Sequence, residues 1–270
     1  MTPPSAQALA CVPGLGHGTM PLRLQPLLGG SVNEVYRVDS VAGSFVLRID
    51  GAAWRRPGVN RARELALHRA AAAAGLAPQI VYPPSGQEQS GAVLVTELLA
   101  GRLWDERDFS EVPSLQRLGE RLATLHQLTP PALPSFDPWP LAQAYVAQID
   151  ADHPPVLQQS LQRLQRCCQD VAAEGRPRSI AHGDLWQSNL LQGTALWLLD
   201  WEYAQCSDAL MDLACVFAYY PQAQRHGHEL AAAAGIALHG EAEALAARIY
   251  IYRALSWLWH LARGEDAEAP

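Results

Sequence analysis

The chain contains no lysine; all twenty of its basic residues are arginine. Chemistry that runs through a lysine Schiff base, pyridoxal-phosphate reactions included, is therefore excluded. Basic surface is scarce as well. The formal net charge is −7 and no basic run or face appears, which argues against a nucleic-acid partner. Cysteine is limited to five residues, an odd number with no CxxC or Cys/His spacing, so neither a disulfide framework nor a zinc site is expected. His226-Gly-His228-Glu229 has neither the spacing nor the context of a metalloprotease helix. No uncharged apolar run reaches membrane-spanning length. The first residues also lack the basic region and continuous apolar stretch of a secretory signal. No membrane association is expected, and the expected location is cytoplasmic. What is present is apolar bulk: 49% of 270 residues, enough for one large domain or two lobes.

One stretch concentrates the chemistry: Ile180-Ala-His-Gly-Asp-Leu-Trp-Gln-Ser-Asn-Leu-Leu191, followed by Leu198-Leu-Asp-Trp-Glu202. His182, Asp184 and Asn189 stand as H-x-D-x-x-x-x-N. The apolar run 195–199 reads as a short buried strand with Asp200 at its exit. Two carboxylates and a carboxamide in this order suit phosphoryl transfer. Asp184 would orient a substrate hydroxyl and accept its proton, while the Asn189 amide oxygen and the Asp200 carboxylate would hold Mg²⁺ against nucleotide phosphates. Protein kinases carry the same order of residues. The bland alternative is a polar loop in which His and Asp only cap backbone groups. His182 is a base by residue type, but this order gives that task to Asp184 and leaves His182 to brace the loop. Asp212, inside the apolar run 210–217, reads as a buried brace whose charge the backbone N–H groups of the catalytic loop would meet.

His-Gly-Asp-Leu-Trp-x-x-Asn with Leu-Asp-Trp-Glu-Tyr resembles the aminoglycoside phosphotransferase and choline kinase superfamily, most of all its bacterial choline and thiamine kinases. The run Asp208-Ala-Leu-Met-Asp212-Leu-Ala is similar to the helix that follows the metal aspartate in that family. The resemblance covers about residue 27 to the C-terminus. It implies an α+β, two-lobed protein-kinase-like fold: a small antiparallel β-sheet N-lobe over 20–99 after an extension of 1–19, then a larger, mainly helical C-lobe over 100–270. It also implies ATP and Mg²⁺ as cofactors and a small-molecule acceptor with a hydroxyl.

Several segments take a role from that resemblance. In Leu28-Gly-Gly-Ser-Val-Asn-Glu-Val-Tyr36, the turn Gly29-Gly30-Ser31 would let backbone N–H groups approach phosphate, although an ordinary hairpin turn reads the same. The family pattern Gly-Gly-x-x-Asn, which includes Asn33, makes it the phosphate-covering loop. Arg48, on the strand expected over 44–50, stands where protein kinases carry a phosphate-binding lysine, and choline-kinase-like enzymes often carry arginine there. Glu64, on a helix expected over 59–74, is its expected partner. The strand over 92–99 would lead to the hinge, where the Glu97 carbonyl and the Leu99 N–H read adenine with Thr96 at the pocket border. Earlier, 13–18 resembles a fragment of a glycine fingerprint but follows no strand, and 1–26 gives no clear element.

The C-terminal half is helical by periodicity, with helices expected over 114–128, 141–149 and 156–173. It is also aromatic. Trp201, Tyr219 and Trp257 are candidates for a cage around a cationic acceptor, with Glu202 and Asp208 adding charge, although an aromatic stripe is more often core. His126 is expected to be a structural hydrogen-bonding residue. A cationic primary alcohol, choline or thiamine, is the favoured acceptor. An aminoglycoside or amino-sugar kinase is the alternative, and a pseudokinase-like protein that binds nucleotide without turnover is the non-enzymatic one.

Overall fold

Two early runs rich in Val, Tyr, Phe and Ile pair as neighbouring strands, because β-branched and aromatic side chains suit a pleated, half-buried surface. The structure, a computed structural model, describes residues 4–16, 18–27, 33–51, 57–87, 91–149 and 156–270. In chain order the elements are α1 (Ala6–Leu9), β1 (Arg23–Pro26), β2 (Glu34–Ser40), β3 (Gly43–Ile49), α2 (Arg61–Ala73), β4 (Ile80–Gln87), β5 (Gly91–Glu97) and β6 (Arg102–Leu103). There follow α3 (Val112–Gln127), α4 (Pro138–Val146), α5 (Val156–Ala173), β7 (Ser179–Ala181), β8 (Leu190–Gln192), β9 (Leu196–Leu198), β10 (Gln205–Ser207), α6 (Leu210–Tyr219), α7 (Gly227–Ala233) and α8 (Ala242–Ala262).

The chain forms two compact units: Met1–Leu103 with Leu190–Glu202, and Trp104–Asn189 with Tyr203–Pro270. The return of 190–202 to the first unit has a local cause. The β8–β9 hairpin pairs with β6, and the Leu198 N–H donates to the Leu76 carbonyl. Sequence periodicity cannot register a long-range pairing of this kind, so the chain crosses between units at three places where one boundary near 99 was expected.

In the first unit a five-stranded antiparallel sheet runs β1-β2-β3-β5-β4. Its register sets Arg48 opposite Val35 and Leu94, and Thr96 opposite Val46. The N-terminal segment is more ordered than its sequence suggests. Ser5 caps the four-residue α1, and Leu9, Val12 and Leu15 follow through tight turns to pack on Tyr36, Val38, Leu47 and Val95. A helix this short leaves no periodic signal. Helix α2 begins at Arg61 because the Asn60 side chain accepts the Arg63 N–H at 2.9 Å, an N-cap.

The second unit is mainly helical. Leu115, Leu118, Leu122 and Leu125 line one face of α3 and are fully buried, each contributing roughly 1.5–3 kcal/mol. Helix α4 starts three residues earlier than its apolar pattern suggests, since Asp137 caps the Trp139 N–H and Pro138 suits the first turn. Helices α4, α5 and α8 share a core containing Leu157, Leu164, Ile251 and Trp257. In the same unit Arg248 is buried and bonded to both Asp208 and Glu174. That pairing spends the Asp208 charge that was expected to attract a cation.

Candidate active site

In the first unit Arg48 projects from β3 beside the exit of β9. Its Nη2 lies 2.6 Å from Glu64 Oε1, and its Nη1 is 3.2 Å from Asp200 Oδ1. Glu64 is 1% exposed on α2 and is not a solvated helix charge. Its second oxygen meets Arg61 Nη1 at 2.6 Å. Arg61 also forks onto Asp50, with Nε at 3.0 Å from Oδ2 and Nη2 at 2.5 Å from Oδ1. Neither Arg61 nor Asp50 is singled out by any motif. Their spacing in sequence carries no signal, because the contact arises from a strand end meeting a helix start.

Asp200 stands two residues beyond β9 with φ 56°, the left-handed region. Among the described residues it is the one non-glycine with positive φ, a conformation that aspartate tolerates better than most side chains. Its carboxyl is pushed up to about 7, by burial first and then by the neighbouring Glu202, while Arg48 pulls the other way.

Trp201 and Glu202 do not offer the surfaces expected of a cage. Trp201 is fully buried, donates its indole N–H to the Leu198 carbonyl at 3.0 Å and stacks on His68. Glu202 is buried too, and its Oε2 accepts from Asn33 Nδ2 at 3.0 Å and Arg61 Nη1 at 3.2 Å. Both residues face α2, Trp201 against His68 and Glu202 against Arg61. Thr96 is buried on β5. The Glu97 carboxylate accepts the Gln79 N–H at 2.9 Å, and Leu99 lies two residues past the strand. Gly29, Gly30 and Ser31 lie outside the described residues.

In the second unit β7 pairs antiparallel with β10, and the loop from His182 to Trp186 leaves the end of β7. Asp212, in the first turn of α6, organises this loop. Its Oδ2 accepts the His182 N–H at 3.1 Å and its Oδ1 the Gly183 N–H at 3.0 Å, while His126 Nε2 of α3 lies 2.9 Å from Oδ2. Burial works to raise the Asp212 carboxyl, but the bond and charge of His126 and the Gly183 N–H hold it below the usual carboxylate range. Gly183 has φ 76°, and a Cβ there would sit 2.7 Å from the Tyr203 carbonyl oxygen, so the loop passes the segment before β10 at a distance only glycine allows. His182 is fully buried and its Nδ1 accepts the Asp184 N–H at 3.3 Å, which fixes the ring inside the loop.

Asp184 is partly exposed. Asn189 Nδ2 donates both to Asp184 Oδ2 and to the Asp184 carbonyl, each at 2.9 Å. With its amide nitrogen spent there, Asn189 offers its oxygen, the atom a hard cation needs. The aromatic residue beside Asp184 that sequence reasoning missed is Trp186. The residue is 42% exposed, and its ring meets Tyr219 edge-on at 5.2 Å, with Tyr220 at 5.5 Å and Phe109 stacked behind Tyr220 at 3.6 Å. Burial and then the Asp184 charge push the Tyr219 phenol up. Trp257, by contrast, is core: it is buried on α8 and donates to the Ala267 carbonyl. The signal for Trp186 was its place two residues after Asp184.

Residues 23–249 match the model of the phosphotransferase enzyme family. Among curated proteins, none matches the chain in sequence. Among solved structures it is similar to a choline/ethanolamine kinase family protein from Mesorhizobium loti, with 26% identity and a TM-score of 0.76 over 97% of this chain and 87% of that one. The choline kinase LicA from Streptococcus pneumoniae has 19% identity and a TM-score of 0.74 over 92% and 88%. A thermostable aminoglycoside phosphotransferase APH(4)-Ia, solved with ADP and hygromycin B, has 18% identity and a TM-score of 0.67 over 90% and 88%. With this match over most of its length, a five-stranded antiparallel sheet and a mainly helical second unit, the chain belongs to the phosphotransferase enzyme family: it is a small-molecule kinase of the aminoglycoside phosphotransferase and choline kinase superfamily, with a protein-kinase-like α+β fold.

Proposed function

We propose that the enzyme transfers the terminal phosphoryl group of ATP, with Mg²⁺, to the hydroxyl of a small cationic alcohol of the choline or thiamine type, in the cytoplasm. The observation that carries the acceptor class is Trp186: a part-exposed indole two residues from Asp184, with Tyr219 set edge-on against it. Aromatic faces attract quaternary ammonium groups, and the neighbouring carboxylate adds charge attraction. The similarity to a choline/ethanolamine kinase family protein supports the same class. The nucleotide reading is supported by the ligands of two neighbours, AMP in LicA and ADP in the aminoglycoside enzyme.

The donor set fits these cofactors. Around Asp200, the carboxylates of Asp50, Glu64, Asp200 and Glu202 share the guanidiniums of Arg48 and Arg61, an excess of oxygen charge suited to a hard cation. Asp200 and Asn189 are the ligands we assign to Mg²⁺, which when bound neutralises charge developing on the phosphates. Arg48, with the Gly29–Ser31 backbone and Asn33, holds the phosphates, and Thr96, Glu97 and Leu99 border the adenine. Asp184 orients the acceptor hydroxyl and takes its proton, held in line by Asn189. His182 and Asp212 keep that loop in shape. Positioning and charge supply most of the acceleration.

The test is ADP formation from Mg·ATP with choline, ethanolamine, thiamine, kanamycin, homoserine and N-acetylated amino sugars. A cationic alcohol should stimulate the wild type, and Asp184→Asn should lower kcat by about 10²–10⁴. Stimulation by kanamycin alone would move the acceptor class. Bound ATP with no ADP from any acceptor would favour a non-catalytic binding protein. Trp186→Ala should raise KM for the cationic acceptor about tenfold, the equivalent of about 1–2 kcal/mol, and leave KM for ATP unchanged. An equal loss for choline and for its uncharged tert-butyl analogue would remove the cation-binding role from Trp186.

A further inference from the structure

Arg61 stands at the first position of α2, where the helix dipole disfavours a cation. Its placement needs another cause, and three carboxylates supply it. Nε and Nη2 grip both oxygens of Asp50, and Nη1 reaches Glu64 Oε2 at 2.6 Å and Glu202 Oε2 at 3.2 Å. Asp50 lies just beyond β3, Glu64 is one turn along α2, and Glu202 follows β9. One guanidinium thus joins three elements. Burial is the largest single effect on Arg61 and works to lower its pKa, but the surrounding carboxylates together hold it above the ordinary arginine value.

We propose that Arg61 is a positioning residue for the phosphate and metal groups, acting through Glu64 and Glu202. The inference rests on the roles proposed above for Arg48 and Asp200. Glu64 divides its oxygens, Oε1 to Arg48 and Oε2 to Arg61. Arg48 is therefore held in place by a carboxylate that Arg61 itself holds. Glu202 receives Arg61 and Asn33 on the same oxygen, which fixes the segment Asp200-Trp201-Glu202 from behind and ties it to Asn33. Without Arg61, Glu64 and Glu202 would repel each other and Asp200, and Arg48 would be drawn out of its line towards whichever carboxylate was least compensated. A lysine could not replace it, because a single ammonium cannot fork onto Asp50 and still reach two further carboxylates.

The experiment compares wild type, Arg61→Ala, Arg61→Lys and the double variant Arg61→Ala/Glu202→Gln. Calorimetry measures Mg·ATP binding, thermal melts measure stability, and steady-state kinetics use whichever acceptor the wild type accepts. Supporting residues behind a metal or phosphate site are typically worth 10–100-fold in affinity or activity. Arg61→Ala should weaken Mg·ATP binding within that range and leave KM for the acceptor unchanged. The double variant should bind more tightly than the single one, since a glutamine removes the uncompensated charge and still accepts from Asn33. Should Arg61→Ala fail to fold, Arg61→Lys carries the test, with a loss of about tenfold expected. Wild-type affinity in either variant overturns the proposal, as does a loss that follows the melting temperature and is not relieved by Glu202→Gln. If the wild type itself does not bind Mg·ATP, the phosphotransfer reading of this site fails and the role of Arg61 falls with it, whereas wild-type binding with an indifferent Arg61 sinks this inference alone.

Discussion

Asp200→Asn is expected to abolish turnover and, at the same time, to raise the melting temperature of the metal-free protein at pH 8. Both effects come from removing one carboxylate charge from a buried site that other carboxylates already crowd. The Asp200 carboxyl is pushed up to about 7 by burial and then by Glu202, against the pull of Arg48. In an unfolded chain an aspartate ionises near pH 4, so between about pH 4 and 7 the folded protein holds a proton that the unfolded chain has released. Stability linked to this group is therefore intact below about pH 4 and is lost as pH rises through about 7. Asparagine removes the charge yet tolerates the left-handed backbone at φ 56°, which alanine would strain. The variant's advantage should thus grow from pH 5 to pH 8, by about 2–4 °C for each kcal/mol relieved. Mg²⁺ should raise the melting temperature of the wild type and leave the variant unmoved. Catalysis moves the other way. A divalent ion contributes several kcal/mol of charge stabilisation, so if Asp200 is its ligand, as proposed, the variant should lower kcat by about 10³ or more. Turnover within about tenfold of wild type would remove Asp200 from the metal site. A stability gain independent of pH would refute the crowding argument.

The parts of this molecule that local sequence specifies are the parts that could be read from it. Helix α3 is legible because four leucines recur on one face, and α5 for the same reason. The H-x-D-x-x-x-x-N stretch is legible because its residues act within one loop, where spacing in the chain is nearly spacing in space. Arg48 and Glu64 could be paired only through the order of strand and helix in a known family. Asn33 could be read only through the family's Gly-Gly-x-x-Asn pattern, and Arg61 and Asp50 could not be read at all. That Arg61 meets Asp50 on one side and Glu202, with Asn33, on the other depends on how a strand end, a helix start and the segment after a later hairpin come together, and no periodicity encodes that. The aromatics show the limit most plainly. Trp201, Trp186 and Trp257 are chemically identical, and only packing makes the first and last core while leaving the face of Trp186 exposed. The strand before Asp200 was read, but the pairing of β8 with β6 was not: strands of two and three residues carry almost no pattern, and these two lie about ninety residues apart.

The largest loss of stability should come from Asp212→Ala. Asp212 is wholly buried and ionised, and its two oxygens satisfy the N–H groups of His182 and Gly183 as well as the His126 ring. Alanine leaves all three donors buried without that acceptor. Truncating one partner of such a buried charged network typically costs about 3–5 kcal/mol, because the groups left behind have neither water nor a substitute. At about 2–4 °C per kcal/mol for a chain of this size, the melting temperature should fall by roughly 6–20 °C. Activity should fall further than stability explains. Gly183 has φ 76° and passes the Tyr203 carbonyl at close range, and the Asp212 bonds are what hold that geometry one residue before Asp184. His126→Gln makes the discriminating comparison. An amide N–H in place of the ring leaves both backbone bonds to Asp212 intact, so it should cost no more than about 1–2 kcal/mol and spare most of kcat. Hydrogen exchange over 180–189 reads the loop directly: it should accelerate strongly in Asp212→Ala and only slightly in His126→Gln. Equal acceleration in both variants would place the hold on the catalytic loop in the His126 ring, and a melting temperature within about 2 °C of wild type for Asp212→Ala would show that this carboxylate does not hold the loop at all.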